Sequence, residues 1–347
     1  MINFQHIRKV AVLRALQLGD LLCAIPAIRA LRRQVPHAVI TLIGLPWADA
    51  FVRRFAHYFD RFEPFPGYPG LPERSYSVRD IASFITKMQD ESFDLVLQLQ
   101  GNGSIVNPLV ALFGGKYTAG YYQGAGYSPS DDLFIEYPSH AHEVYRHLLL
   151  MQHLNIPQQG TQLEFPITGE DKDAFTALQL PIRAGDYVCI HPGSRGAWRQ
   201  WPPSAFARMA DHCAALGYDI VITGTADEMP LVMEVSRSMR HKPIITAGKT
   251  SLGALALLLK QARAVLSNCT GVSHIASALN IPGVIISMDG EPKRWGPLNH
   301  HTLSTIDWTH TPDMDLVEEQ LTSKLKTAIS PLDQQRFNSV DYVFQSG

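Results

Sequence analysis

No apolar run in this chain approaches the roughly 18 residues that a membrane-crossing helix needs. A short apolar stretch opens the sequence, but Arg14 and Asp20 break it and no small-residue cleavage site follows, which predicts no signal peptide. Cysteine is scarce: Cys23, Cys189, Cys213 and Cys269 lie far apart and form no CxxC pair. That spacing argues against a disulfide framework or a zinc knuckle and makes a reducing cytosol the expected setting. An excess of either charge is also missing. Thirty Lys and Arg face 32 Asp and Glu, a formal net charge of −2. With no general basic field, nucleic acid is not an expected partner, and any anionic ligand must be held by a local cluster. No Gly-x-Gly-x-x-Gly opens a helix, which disfavours a nicotinamide dinucleotide. Gly248-Lys249-Thr250 lacks the upstream glycine of a Walker sequence, and the Gly-x-Ser-x-Gly elbow of many hydrolases is absent. No compact His and carboxylate spacing marks a metal site, so none is expected.

The 347 residues are 46 % hydrophobic and 18 % charged, enough for two globular domains with cores of their own. Short β-rich runs alternate with longer segments of helical spacing, the pattern of parallel βαβ units. Strands are expected at Val10–Leu16, Val39–Leu45, Asp94–Gln100 and Thr118–Tyr122. Helices are expected at Asp20–Gln34 (kinked at Pro26), Trp47–Phe62, Ser104–Phe113 and His140–Leu154. Residues 123–137 read as loop, and 156–169, with two prolines and two glycines, as the inter-domain linker. The second half predicts strands at Tyr187–His191, Asp219–Gly224, Pro243–Thr246, Ala264–Ser267 and Val284–Met288. Its helices should cover Ser204–Leu216, Glu228–Met239, a Ser251-capped segment to Ala262, Gly271–Leu279 and Met314–Ile329. The expected architecture is α/β: two doubly wound domains, 1–165 and 170–330, facing one another across a cleft, with a tail, 331–347, that crosses back to the first.

Five segments hold residue types suited to chemistry. Leu18-Gly19-Asp20 sits at a strand-to-helix turn, where Asp20 is either a general base or a helix N-cap. His191 to Pro202 follows a strand and contains Ser194, Arg195, Arg199 and exposed glycine backbone, the ingredients of a phosphate site. Ser267 to His274 places Thr270, Gly271 and His274 at a helix start, where free N–H groups suit an anion. Thr223 and Gly224 end a strand just before Glu228, a carboxylate that either accepts from ribose hydroxyls or merely enriches a first helical turn. Glu291 to Leu298, with Arg294 and Trp295, is a rigid basic-aromatic loop that either closes over a phosphate or packs. Trp47, Phe51, Phe55, Tyr58 and Phe62 recur at about helical spacing among Arg53, Arg54, His57 and Arg61. They form a core-packed stripe or, on a sharper reading, a face for an amphipathic acceptor or an anionic membrane.

In this order, from about Val10 to about Leu298, the segments resemble the ADP-heptose:lipopolysaccharide heptosyltransferases, glycosyltransferase family 9, of GT-B fold. The resemblance rests on Leu18-Gly19-Asp20 with Ile25-Pro26-Ala27; Asp94 to Asn102; His191-Pro192-Gly193 with Trp201-Pro202-Pro203; Gly248 to Leu252; Thr270-Gly271 with His274; and Arg294-Trp295-Gly296-Pro297. It implies an inverting, metal-independent transfer of heptose or a related sugar. The donor would be a nucleotide-sugar, probe-worthy first as its ADP form, and the acceptor a lipid-linked glycan such as the lipopolysaccharide core. The enzyme would be cytoplasmic, at the inner membrane face, and need no cofactor beyond the donor. Asp20 matches the family's base. Ser194, Arg195, Arg199, Thr223, Gly224, Glu228, Cys269, Thr270, Gly271 and His274 match its donor side; Gly19, Asn102, Arg294 and Trp295 match acceptor or closing-loop positions. Arg199 stands where the family usually has lysine, Gln200 where arginine is frequent, and Cys269 where aspartate is common. These departures keep two other readings in view, a non-catalytic nucleotide- or glycan-binding protein and a GT-B nucleotide-sugar epimerase.

Overall fold

The structure, a computed structural model, describes residues 2–326. They divide between Gln162 and Leu163 into two compact units. The tail 331–347 and the end of the helix expected to reach Ile329 lie outside the described residues.

The first unit runs β1 (Lys9–Leu13), α1 (Leu18–Gln34), β2 (Val39–Gly44), α2 (Ala48–Arg54), β3 (Arg61–Pro64), α3 (Val78–Glu91), β4 (Leu95–Gln98), α4 (Asn107–Ala111), β5 (Tyr117–Tyr122), β6 (Phe134–Glu136) and α5 (Glu143–His153). Its strands form one sheet in the order β3-β2-β1-β4-β5-β6, with every pairing parallel. Strand β1 pairs on both sides, and Val10 to Leu13 are buried, as expected of a central strand with both faces covered.

The second unit repeats the plan: α6 (Gly169–Thr176), β7 (Tyr187–His191), α7 (Pro203–Ala215), β8 (Asp219–Ile222), α8 (Met229–Ser238), β9 (Ile244–Ile245), α9 (Leu252–Gln261), β10 (Ala264–Asn268), α10 (Gly271–Ala278), β11 (Gly283–Ser287), α11 (Pro292–Trp295), β12 (Leu303–Asp307) and α12 (Met314–Lys326). Its sheet has the order β12-β11-β10-β7-β8-β9, again all parallel. Trp201, Phe206, Ile222, Leu266 and Leu321 belong to its core. The α/β class and the doubly wound, Rossmann-like character of each unit are as the sequence predicts.

Several elements differ from expectation. The segment Trp47–Phe62 is not one helix: α2 stops at Arg54, and Arg61 to Pro64 pair with Thr41 to Gly44 as an edge strand. Phe51, Phe55 and Tyr58 are buried, and the Phe51 and Phe55 rings stack at 4.3 Å. Three of the five aromatics are therefore core, as the first of the two readings has it, while Trp47 and Phe62 are half-buried. Helix α1 begins at Leu18, so Asp20 is its third residue and not its N-cap, which is Gln17. The helix runs on through the buried Pro26. Strand β6 occupies a stretch read as loop, strand β12 one to which no element was assigned, helix α6 opens at the end of the expected linker, and the basic-aromatic loop contains the short helix α11.

Candidate functional site

Each sheet changes winding direction once, between β1 and β4 in the first unit and between β7 and β10 in the second. Open parallel sheets bind ligands beyond the carboxyl ends of their strands at such points, because the loops on either side diverge there. The predicted site residues gather at these two places.

In the first unit, residues 14–17 leave β1 and enter α1. Asp20 turns its carboxylate back to the entry, where Oδ2 accepts from the Gln17 amide at 3.2 Å. It thus secures the helix start while remaining partly exposed. Arg14, buried at the end of β1, reaches it: the guanidinium Nη2 lies 3.7 Å from Asp20 Oδ1, and Nε donates to the Asp20 carbonyl at 2.7 Å. Gln100 ties the loop after β4 to the same place by accepting from the Ala15 amide at 2.7 Å. Asn102 follows, between Gly101 and Gly103 in left-handed conformations. Its amide bonds Gln123, and its Oδ1 accepts from Ser104 N at 3.1 Å. A side chain at Gly103 would strike the Tyr121 carbonyl, so glycine is required there. Gly19 is half-buried in the first turn of α1.

In the second unit the loop after β7 is clamped by Asn268, the last residue of β10. Its Nδ2 donates to the Pro192 carbonyl at 2.7 Å, and its Oδ1 accepts from Trp201 N at 2.9 Å. Trp201 anchors the loop's far end against Phe206 and Trp308. Gln200 donates to the Ser194 carbonyl at 3.0 Å and pinches the loop between the clamps. Ser194 is buried at the base, whereas Arg195 and Trp198 are exposed.

Arg199 is the focus of this loop. Its guanidinium lies 4.7 Å from the Trp198 ring, and Nη2 pairs with Asp289 Oδ2 at 3.4 Å. Asp289 follows β11, its side chain is 4 % exposed, and it accepts from the Ser287 hydroxyl at 2.8 Å. Arg199 Nε is buried with no hydrogen-bond partner, a donor that a ligand oxygen would satisfy. Cys269 stands in the field of both charges. Burial, with Asp289 adding to it, pushes its thiol up to about 12 against the opposing Ser273 hydrogen bond and Arg199, so the sulfur is uncharged at neutral pH.

Helix α10 starts beside it. Thr270 is the N-cap, and the Ser273 hydroxyl donates to the Thr270 carbonyl at 2.6 Å. The Ser273 amide already donates to the Thr270 carbonyl at 3.0 Å, which leaves the Gly271 and Val272 amides at the helix start as the ones suited to an anion. His274, one turn in, is buried with its ring 6.4 Å from that of Trp295. Trp295 Nε1 is a second buried donor without a partner, and Arg294 covers its ring at 4.7 Å while pairing with Glu291.

The β8 side carries the acidic group. Glu228 Oε2 accepts from Thr225 N at 2.8 Å, and its carboxylate lies so close to Gly193 that a β-carbon there would overlap it. Thr223 is fully buried, and its hydroxyl faces His191 Nδ1 at 2.9 Å, so this side chain supports His191 beneath the loop and is not presented to solvent. Burial lowers the basicity of His191, and the nearby Glu228 opposes that. Gly224 is half-buried between Glu228 and Val232.

Four contributors escape a reading of the sequence in segments. Arg14 carried a visible signal, a charge inside an apolar strand. Glu143, whose Oε1 accepts from Arg14 Nη2 at 3.0 Å, Asn268 and Asp289 carried none, because their partners are distant in the chain. Among the described residues, no group of three or more His, Cys, Asp or Glu side chains is arranged to hold a metal ion.

Comparison with known proteins follows the same lines. The chain is 21 % identical over 306 residues to lipopolysaccharide heptosyltransferase 2 of Escherichia coli K12, covering 84 % of this chain and 86 % of that one. It is 25 % identical over 288 residues to heptosyltransferase 3 of the same organism, covering 78 % and 79 %. Among solved structures, a family 9 glycosyl transferase from Veillonella parvula superposes with a TM-score of 0.73 at 18 % identity, over 100 % of this chain and 99 % of that one. The E. coli ADP-heptose lipopolysaccharide heptosyltransferase II superposes with a TM-score of 0.69, also at 18 % identity, over 98 % and 100 %. Both likenesses establish the GT-B fold. The sequence profile of glycosyltransferase family 9 (heptosyltransferase) matches residues 81–325, a span that takes in the whole Arg199, Thr270 and Trp295 region, and so the chain belongs to glycosyltransferase family 9.

Proposed function

We propose that this chain is an inverting, metal-independent glycosyltransferase that moves heptose, or a closely related sugar, from a nucleotide donor to a lipid-linked glycan of the lipopolysaccharide-core type. The second unit is read as the donor unit and the first as the acceptor unit. The observation that carries this reading is Arg199, a guanidinium held by Asp289 and Trp198 with a buried Nε still open, next to the start of α10 at a sheet switch point. That combination suits a diphosphate. The solved E. coli relatives named for ADP-heptose and for ADP make an adenosine donor the first to test.

In the proposed reaction an acceptor hydroxyl oxygen attacks the anomeric carbon from the face opposite the nucleotide. The new glycosidic bond forms as the bond to the β-phosphate oxygen breaks, so configuration inverts. Asp20 takes the hydroxyl proton. Arg199 and the first amides of α10 stabilise the negative charge that collects on the departing diphosphate. Glu228 is read as the acceptor for ribose hydroxyls, and Ser194, Thr270, Gly271 and His274 as the rest of the donor side. Arg294 and Trp295 are read as a closing element, Gly19 and Asn102 as acceptor contacts. The work would take place in the cytoplasm, where the lipid-linked acceptor presents its glycan at the inner membrane face. No helix among the described residues is long and apolar enough to cross a membrane.

The uncharged Cys269 is the feature that would fit a binding protein without catalysis. Incubation with labelled ADP-heptose and a truncated core acceptor separates the two: sustained glycan product supports transfer, and donor binding without product supports the non-catalytic reading. Sugar isomerisation without acceptor would instead mark an epimerase. Asp20→Ala should abolish transfer and leave ADP affinity within about twofold; full turnover by this variant would remove Asp20 from the role of base.

A further inference from the structure

The first unit contains a buried ionic network that no step above uses. Arg14 is 1 % exposed, and it spends its donors on three segments: Nε on the Asp20 carbonyl at 2.7 Å, Nη1 on the Leu99 carbonyl at 2.5 Å, and Nη2 on Glu143 Oε1 at 3.0 Å, with Asp20 Oδ1 at 3.7 Å from the same nitrogen. Glu143, the first residue of α5, is itself buried and bonds Arg146 through its other oxygen. His147 Nε2 stands 3.5 Å from Glu143 Oε1, and its Nδ1 is 2.9 Å from the Tyr121 hydroxyl. The Tyr137 ring covers Arg146 at 4.3 Å. A guanidinium is thus fixed between two carboxylates, one sealed in the core and one, Asp20, with its side chain 22 % exposed.

We propose that Arg14 and Glu143 are a positioning pair for Asp20, in which Glu143 holds the Arg14 guanidinium and Arg14 holds the Asp20 carboxylate in place and charged. This rests on the reading of Asp20 as the base. The geometry divides one positive charge between two anions: without Arg14, Asp20 would lose its counter-ion, and without Glu143 the whole guanidinium would bear on Asp20. A base pinned to an undivided cation is a weak one, so the buried carboxylate keeps the exposed one reactive.

The groups that face this pair are Arg146 and His147 on α5, Tyr121 on β5 with Tyr137 beyond it, and Cys23 on α1. Their charges leave the balance intact. Burial alone would push the Glu143 carboxyl up, but the His147 hydrogen bond and the charges of Arg14 and Arg146 outweigh it and hold the group well below its usual range. Burial and Arg14 depress His147 to about 4, and burial raises Tyr121. Near neutral pH two arginines therefore meet two carboxylates, with no other ionised partner among these groups.

The test is the pH profile of kcat/KM for Arg14→Met, Arg14→Lys and Glu143→Gln, with ADP affinity measured on each. Arg14→Met should move the acid limb up by about one pH unit or more, and Glu143→Gln should move it down by about one unit and lower the kcat plateau roughly tenfold. Arg14→Lys keeps the charge but not the fork, and should recover the wild-type limb with only part of kcat. Because Arg14→Met strands a buried carboxylate, the wild-type limb of Arg14→Lys and the lowered limb of Glu143→Gln are read beside it. Opposite shifts at unchanged ADP affinity support the proposal. Wild-type limbs in all three variants, or ADP affinity falling in step with kcat, overturn it by leaving the network a structural role alone. The failure of the base reading itself looks different, since Asp20→Asn would then still turn over.

Discussion

At the scale of single residues, Arg199 is the side chain on which donor binding should depend most. A charge-assisted hydrogen bond contributes about 1.5–3 kcal/mol, so Arg199→Ala should raise the Kd for ADP roughly 10- to 150-fold, measurable by calorimetric titration. Arg199→Lys should recover only part of this, because a point charge cannot pair with Asp289 and also present a second donor from a rigid fork. Here the sequence was partly legible. Two arginines in a loop after a strand pointed to an anion, but the carboxylate that aims one of them lies 90 positions further along the chain, at Asp289. Nothing local to either residue links them. Likewise Cys269 reads in the sequence as a missing charge, whereas the fold supplies a buried carboxylate from β11 beside it.

At the scale of elements, the loops beyond β7 and β8 meet through Gly193 and Glu228. A β-carbon on Gly193 has no space except that of the Glu228 carboxylate. Gly193→Ala should therefore displace Glu228 and weaken donor binding about tenfold, while the melting temperature falls by only a few degrees, as for an overpacked site costing about 1–3 kcal/mol. Unchanged ADP affinity would show that Glu228 stands clear of the ligand. Helix α5 sets a different dependence, on pH. His147 is fully buried and titrates at about 4 when folded, against an ordinary 6.5 when unfolded. Between those values the unfolded chain binds more protons, so stability is complete above about pH 6.5 and is lost as pH falls toward 4. From pH 7.5 to 5 the loss should be about 2 kcal/mol by this group, and His147→Gln should flatten that slope in urea unfolding.

The elements that escaped the sequence share a cause. Strands β3, β6 and β12 are short edge strands, and edge positions leave one side unpaired and much of the surface wet, so their composition stays mixed. Helix α3 buries only Phe84 and Met88, and its stripe through Ile81 and Ile85 is the signal that would have revealed it. The false long helix over Trp47–Phe62 arose from aromatic spacing that is real, yet the chain leaves the helix after Arg54 because the sheet edge takes Arg61 to Pro64 as a strand.

At the scale of the whole molecule, two sheets of identical winding place the candidate chemistry at the carboxyl ends of β1 and β4 in the first unit and of β7, β8, β10 and β11 in the second. Ligand binding should reveal which sheet takes the nucleotide. In hydrogen exchange, saturating ADP should protect amides of residues 192–202 and the first turn of α10, with little change around Asp20. Protection centred on residues 14–20 instead would reverse the proposed division of labour. The sequence by itself determined the α/β class, the central strands and the order of the chemical segments, because apolar runs and glycine- or serine-bearing turns are local and each needs only its own residues. Tertiary structure alone decided the pairings Arg14 with Asp20 and Glu143, Asn268 with the loop at 192–201, and Arg199 with Asp289. A charge is steered and neutralised by whatever the fold carries to within a few ångströms, and that neighbour is set by how parallel strands stack, not by distance along the chain.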